Sequence, residues 1–309
     1  DHLETSATVD ELAERVGATP EGIRRLCRVL GTMGLLRMSG DRIEASVDAL
    51  AALSRQGERS IADVLLHHRR QLAPLFAELT RAVRTGRAQH AAWPFVTGAP
   101  ADGAYAELVR HPGELATFLT AMDHASAGVG RAMVPSLRQR YVRRLVDFGC
   151  GGGAVARELL VAMPELVIES YDLAPVAAIA SERSRTAGLT GRHRISEGDI
   201  FAGIDARDAD GVLLSAILAD WSRAERAAIL ENARRILRPG GHVFISETLL
   251  DDDRAGPASA AMFSLVMLLA MRGDQLSFGE LRAELSEAGF VEVTVQRGGP
   301  RDLVVARAR

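Results

Sequence analysis

The chain has 309 residues, of which 47% are hydrophobic and 25% charged, and it carries a net charge of −3. That length is enough for two domains, each with its own core, and the composition excludes a disordered or fibrous polypeptide. The small negative charge gives no electrostatic reason to expect nucleic acid or an anionic membrane as a partner.

All 37 basic residues are Arg, which reads as codon usage of a GC-rich genome and not as function. Cys27 and Cys150 stand far apart, show no metal-ligand spacing, and suit a reducing, cytoplasmic setting. Cys150 lies in a glycine-rich turn, where it reads as a small residue that fits. The longest apolar run, Ala258 to Met271, is too short to span a bilayer and contains Ser264. No signal peptide is visible. The chain opens on Asp1 without Met, in what reads as the end of a helix, so native residues are expected before it.

Thr8-Val-Asp-Glu11 predicts a capping box for a helix from Val9 to Val16, stopped at Gly17. Thr19-Pro20 opens a second helix that runs to about Met33. Leu35 to Met38 and Arg42 to Ala45 flank a Ser-Gly-Asp turn and predict a hairpin. Helix, turn, helix and hairpin make a winged helix, with Arg24, Arg25 and Arg28 on its second helix. Residues 1–60 hold eight Arg against ten Asp and Glu, the wrong balance for a phosphate-seeking surface. The module is therefore read as a dimer-packing domain, with a DNA-binding regulator as the distant alternative.

From Ser60 to about Arg140 the pattern is helical. A helix from Ile61 continues towards Gly86, kinked at Pro74. An irregular piece follows from Trp93 to Asp102, then a helix from Tyr105 to Arg110. His111-Pro-Gly-Glu114 opens a further helix with Phe118, Met122, Ala125 and Val129 on one face, a stripe suited to core or to a pocket wall. From Val142 strands alternate with helices, so this half predicts a parallel, doubly wound α/β sheet. Its strands are expected at 143–148, 167–171, 194–197, 209–215 and 242–247, and an antiparallel pair near 291–296 and 302–307 closes one edge. Arg238-Pro-Gly-Gly241 ends a helix and turns the chain into the fifth strand. Domains are expected at 1–95, 96–141 and 142–309.

The chemistry concentrates where the strands end. Leu145 to Phe148 runs into Gly149-Cys-Gly151-Gly-Gly153 and then a helix-compatible stretch. Glycines there let the backbone approach a ligand with no Cβ in the way, and the helix N-terminus offers unpaired N–H groups to an anion. Asp172 closes the second strand, nineteen positions after Gly153, where an acid can accept both ribose hydroxyls. Gly198-Asp199-Ile200-Phe201 follows the third strand; its acid can accept from an exocyclic amine, and its apolar pair can sandwich a flat base. The fourth strand ends in Leu213-Leu-Ser215, followed by Ile217-Leu-Ala-Asp220-Trp221. Four such pieces at successive strand ends describe one ligand site.

In these motifs the chain resembles class I S-adenosylmethionine-dependent methyltransferases, and specifically the small-molecule O-methyltransferases with an N-terminal winged-helix dimerisation domain. Plant caffeate and bacterial polyketide enzymes belong to that family. The likeness covers the winged helix, Asp147-x-Gly149-x-Gly151-x-Gly153, Asp172-Leu173, Gly198-Asp199-x-Phe201, Asp220-Trp221, Arg238-Pro-Gly-Gly241 and Ala288-Gly289-Phe290. It implies a Rossmann-like domain behind a mainly α-helical one, S-adenosylmethionine as cofactor, and a homodimer held by the N-terminal domain. It also implies a small-molecule acceptor of the aromatic or polyketide kind, as in antibiotic and other secondary metabolism. By position it puts the methionine end of the cofactor on Gly149 and Gly151, in the turn between Asp147 and Gly153. Asp172 and Leu173 fall at the ribose, Asp199, Ile200 and Phe201 at the adenine, and Ser215 and Trp221 on the far side.

One departure bears on mechanism. The family's catalytic base is a His directly before the Asp-Trp pair, and here that position is Ala219. The segment that carries the orienting acid falls in Arg272-Gly-Asp-Gln-Leu-Ser277, with Gln275 nearest the acid's position. Glu247, after the fifth strand, keeps the other acid. The spacing of Leu214, Ser215, Leu218 and Trp221 resembles the anthracycline-modifying branch, where that His is also replaced.

Candidate catalytic residues are therefore His124, which has the carboxylate of Asp123 beside it, Glu247 and Asp220. The acceptor is expected against Phe118 and Met122 and, where the resemblance places its lid, Met262 and Met267; core packing or a dimer contact explains these equally well. No metal site is expected. A general base contributes about 10²–10⁴-fold, whereas in-line positioning contributes roughly 7–11 kcal/mol. The missing His thus argues against a weakly acidic phenol as acceptor, not against methyl transfer. Methylation at carbon is one alternative to O-methylation. A relative that uses bound cofactor for hydroxylation, decarboxylation or a pericyclic step is another.

Overall fold

A computed structural model describes residues 2–309, and the chain divides into two units between His67 and His68. In the first, the short strand β1 (Ala7–Thr8) leads into α1 (Val9–Val16), capped by the reciprocal Thr8–Glu11 box and ended by Gly17 at φ 65°. Thr19 caps α2 (Pro20–Thr32). Strands β2 (Leu36–Ser39) and β3 (Arg42–Ala45) form the wing, and β1 joins it to give the sheet order β1-β3-β2. Helices α3 (Val47–Leu53) and α4 (Ala62–His67) complete the unit. Its core is built on Val9, Leu12, Ile23, Cys27 and Ile43. Leu26, Val29 and Met33 form a second apolar stripe on α2 and are 53, 57 and 64% exposed.

The second unit opens with α5 (Ala73–Ala77), α6 (Leu79–Thr85), α7 (Ala104–Leu108), α8 (Pro112–Ala125) and α9 (Val129–Gln139). The continuous helix expected from Ile61 towards Gly86 is broken by a π-helical turn over His68–Leu72 and again at Glu78. Pro74, with no N–H to donate, stands in the first turn of the piece that follows. Val129 starts α9 and does not belong to the α8 stripe. Leu75, Ala82 and Trp93 pack with Leu108, Leu115, Val176 and Leu269 in one cluster. That packing attaches residues 68–95 to the second unit, so the division falls ahead of the boundary expected at 95.

Strands β4 (Arg144–Phe148), β5 (Val167–Asp172), β6 (His193–Glu197), β7 (Ala209–Ser215) and β8 (Leu237–Glu247) are parallel. Helices α10 (Ala154–Ala162), α11 (Ala174–Thr186) and α12 (Arg223–Ile236) form crossovers; α13 (Ala258–Ala270) and α14 (Phe278–Glu287) lead to the antiparallel β9 (Phe290–Gln296) and β10 (Asp302–Ala308). The order β6-β5-β4-β7-β8-β10-β9 reverses direction at β4, the switch point where such sheets open a ligand crevice. Alternation along β4 buries Val146 and Phe148 on one face with Val212, Leu214 and Ile245, and Leu145 on the other with Leu213, Phe244 and Val305. The Arg238-Pro-Gly-Gly241 stretch lies within the start of β8 and not before it, with a register shift opposite Ala209 and Gly211. No helix among the described residues is long and apolar enough to cross a membrane.

Candidate functional site

The carboxyl ends of β4, β5 and β7 open into a cavity of about 1120 Å³. Phe148 pairs with Leu214 in the β4–β7 register, which brings Gly149 beside Ser215 at the cavity floor. Gly149 and Gly151 have φ of 69° and 55°, a backbone that a side chain would strain. The Gly151 N–H donates to Asp172 Oδ2 and the Leu173 N–H to Oδ1, both at 2.8 Å. Asp172 thus staples the glycine turn to the end of β5, and a carboxylate with two donors has further lone pairs to offer. Burial pushes its carboxyl up to about 6 against those two donors.

Asp147 lies beneath the turn and also faces the cavity. Ser170 Oγ donates to its Oδ2 at 3.2 Å and lies 2.8 Å from His193 Nε2, while Ser184 Oγ lies 3.0 Å from His193 Nδ1. Burial and the Arg157 charge hold His193 down at about 4, so its ring is neutral. One proton arrangement satisfies the chain: Ser184 donates to His193, His193 to Ser170, and Ser170 to Asp147. Burial nonetheless pushes Asp147 up to about 7.

Asp199, Ile200 and Phe201 line the next part of the cavity. The Phe201 N–H donates to Asp199 Oδ1 at 2.8 Å. Asn232, buried on α12, donates to the carbonyls of Ile200 and Phe201 at 2.8 and 3.0 Å, a support that sequence reading missed because a lone Asn in a charged helical stretch carries no signal. The Phe201 and Trp221 rings meet edge to face with centroids 4.7 Å apart.

Tyr105, Phe118, Leu119 and Met122 supply the opposite wall. The Tyr105 hydroxyl donates to Asp220 Oδ2, and its ring centroid lies 6.1 Å from that of Phe118 and 6.0 Å from that of Trp221. Burial pushes Asp220 up to about 7, opposed by the Tyr105 hydroxyl, while burial and the Asp220 charge push the Tyr105 phenol well above its usual range.

Several expected residues fall elsewhere. His124 is exposed, bonds the Thr120 carbonyl through Nδ1 at 2.9 Å, and lies outside the cavity. One helical step of about 100° separates it from Asp123, which does line the cavity and binds Arg157 and Arg183 at 2.8 and 2.9 Å. Glu247 is enclosed, and its Oε1 accepts from the Ile217 and Leu218 N–H groups at 3.0 and 2.9 Å. It therefore braces the turn that carries Asp220 and does not line the cavity. Gly153 stands just outside, between the lining residues Gly152 and Ala154. Met262 is 55% exposed and Met267 is buried at 7%; Ala270 and Met271, one to two turns on, face the cavity instead. Gln275, at the position of the family's orienting acid, is buried outside the cavity, and its Oε1 has no partner among the described residues. Asp147, Gly149, Gly151, Asp172, Leu173, Asp199, Ile200, Phe201, Ser215, Asp220, Trp221, Phe118 and Met122 all line it. No cluster of three or more His, Cys, Asp or Glu among the described residues is arranged to hold a metal ion.

Residues 76–291 match a family model described as an O-methyltransferase domain. The tetracenomycin polyketide synthesis 8-O-methyl transferase TcmO of Streptomyces glaucescens is 31% identical over 300 residues, covering 96% of this chain and 86% of that protein. The 3-hydroxy-5-methyl-1-naphthoate 3-O-methyltransferase of Streptomyces sahachiroi is 40% identical over 167 residues, 54% of this chain and 48% of that protein. Human N-acetylserotonin methyltransferase, crystallised in complex with SAM, superposes with a TM-score of 0.85 at 25% identity, over 99% of this chain and 88% of that one. Since the match spans most of the sheet and the helices that wall its cavity, the chain belongs to the O-methyltransferase domain family, as a methyltransferase dependent on S-adenosylmethionine.

Proposed function

We propose that this enzyme methylates a phenolic or enolic oxygen of a small aromatic or polyketide-like natural product, with Asp220 taking up the oxygen's proton. The observation that carries the reading is the Tyr105–Asp220 pair, a buried carboxyl set among aromatic rings in the same cavity as the glycine turn. The named relatives TcmO and the naphthoate 3-O-methyltransferase support the acceptor class.

The residues present fit the cofactor. Bare backbone at Gly149 and Gly151 admits a close ligand, and the buried carboxyls of Asp147, Asp172 and Asp220 suit one bearing positive charge. When bound, S-adenosylmethionine supplies an electrophilic methyl group on a sulfonium. Asp147 faces the methionine end and Asp172 with Leu173 the ribose. Asp199, Ile200 and Phe201 hold the adenine, with Ser215 and Trp221 closing the far side. A cavity of about 1120 Å³ exceeds the roughly 300–1,000 Å³ of a single-ligand pocket, which leaves room for an acceptor against Tyr105, Phe118 and Met122.

Asp220 replaces the missing His in function. At about 7 its carboxyl is a stronger base than an ordinary Asp, matched to an acidic phenol or enol, and such a base contributes about 10²–10⁴-fold. Holding acceptor and methyl donor in line contributes more, roughly 7–11 kcal/mol. The second apolar stripe of α2 supports a homodimer through the first unit. Arg24 pairs with Glu21 and Asp41, and Arg25 with Glu21, so two of the three arginines of that helix are engaged within the unit and not held free for DNA. The free Cys27 and Cys150 suit the cytoplasm.

Incubation with methyl-labelled S-adenosylmethionine and a panel of hydroxynaphthoates and polyketide phenols tests the proposal. Label on oxygen with equimolar S-adenosylhomocysteine is expected. Label on carbon, or turnover that leaves the cofactor unconsumed, overturns it.

A further inference from the structure

Among the described residues, Arg301 is a cation whose hydrogen-bond acceptors are all neutral. It precedes β10, lines the cavity, and reaches between the carboxyl end of β7 and the C-terminus of α8. Its Nη1 donates to Ser215 Oγ at 3.3 Å, and its Nη2 to Ser126 Oγ at 3.1 Å and the Ala125 carbonyl at 3.2 Å. All three acceptors are neutral, and all three bonds are longer than the roughly 2.7–2.9 Å of a charge-assisted pair. No carboxylate among the described residues lies within ion-pair distance of it, whereas Arg157, Arg183 and Arg226 each hold one at 2.6–2.9 Å. Asp220 and Glu247 act on it only from further off. A guanidinium withdrawn from water in this way costs free energy unless an anion reaches it.

The place of Arg301 selects the anion. Ser215 stands beside Gly149 in the β4–β7 register, on the side of the glycine turn away from Asp172 and the ribose. S-adenosylmethionine carries one anionic group, the α-carboxylate at its methionine end. We infer that Arg301, with Ser126 and Ser215 beside it, holds that carboxylate and so fixes the direction in which the sulfonium points. The inference rests on the cofactor orientation proposed above. A carboxylate on the acceptor offers the same chemistry, but contact with Ser215 beside the turn favours the cofactor.

Calorimetry on the full chain separates the possibilities with three probes. S-adenosylhomocysteine keeps the carboxylate, its decarboxylated analogue keeps only the amine, and 5′-methylthioadenosine lacks both. Arg301→Gln is expected to weaken S-adenosylhomocysteine by about 10–100-fold, the size of a hydrogen bond to a charged group. The other two probes should bind as they do to the wild type, which also shows that the variant is folded. Arg301→Lys should recover part of the loss, and in turnover Arg301→Gln should raise the KM for S-adenosylmethionine. Equal weakening of all three probes, or no weakening of any, overturns the assignment. So does a change confined to the KM of a carboxylated acceptor. Should the wild type bind none of the probes, the cofactor reading itself fails; should it bind them without discrimination by Arg301, only the carboxylate anchor does.

Discussion

The Tyr105 hydroxyl donates to Oδ2 of Asp220 across 115 positions of sequence, one residue from where the family keeps its His. If Asp220 is the base, it must be ionised to act, so kcat/KM rises as pH climbs through about 7. Asp220→Asn should remove that limb and lower kcat by about 10²–10⁴-fold. Tyr105→Phe removes a donor that favours the charged carboxylate, so the limb should move to higher pH. Steady-state pH profiles of the three proteins check this; a wild-type limb that survives in Asp220→Asn refutes the assignment.

Cofactor uptake should release protons. Burial holds Asp147 near 7 and Asp172 near 6 in the free protein, so at about pH 6.5 both are partly protonated. A cation beside Asp147 and ribose donors on Asp172 favour the charged forms. Affinity for S-adenosylmethionine is therefore expected to rise from about pH 5.5 to about pH 7.5. Titration calorimetry in buffers of different ionisation enthalpy measures the protons directly, and S-adenosylhomocysteine, with no sulfonium, should release fewer. Proton uptake on binding would contradict the electrostatic reading.

Asp220→Asn should also make the free protein more stable at alkaline pH. The folded-state value of Asp220 is raised, from 3.8 to about 7, so its contribution is full at low pH and is lost as pH rises through about 7. Asp147 and Asp172 act in the same direction. His193 opposes them, since its depressed value loses stability as pH falls from 6.5 to about 4. The amide carries no buried charge and the loss runs from about pH 3.8 to about 7, so the melting temperature of Asp220→Asn should exceed that of the wild type by more near pH 8 than near pH 5. A gain of roughly 2–4 °C is expected per kcal/mol recovered. Scanning calorimetry at the two pH values decides it.

The sheet was legible in the sequence because parallel strands announce themselves as short apolar runs between glycine turns, and each expected strand lies within two residues of an observed one at its carboxyl end. That end is where Asp172, Asp199 and Asp220 sit, so most of the cavity lining followed. What did not follow depends on pairings the local pattern does not encode. Tyr105, on α7, meets Asp220, in the turn after β7, only through a contact across 115 positions of sequence. His124 and Asp123 differ by one helical step, and sequence spacing alone does not say which of them turns inward. Arg301 follows a Gly-Gly-Pro stretch in a surface-like segment, and nothing there marks a cation that faces the cavity.

Ile23 and Cys27 are buried in the winged-helix core, whereas Leu26, Val29 and Met33, spaced at three and four residues, remain exposed at 53, 57 and 64%. A helix that is apolar on two sides has one face more than its own unit covers, and a contiguous apolar stripe of this kind marks a contact surface. If a second copy covers it, the full chain should run as a dimer by light scattering. Leu26→Glu combined with Val29→Glu should yield a monomer, because two charges buried without partners at such a contact are costly. Neither side chain contributes to the core of the first unit, so the variant should keep the wild-type circular dichroism spectrum. A dimer that persists in the folded double variant places the contact on another surface, and a monomeric wild type removes the dimer.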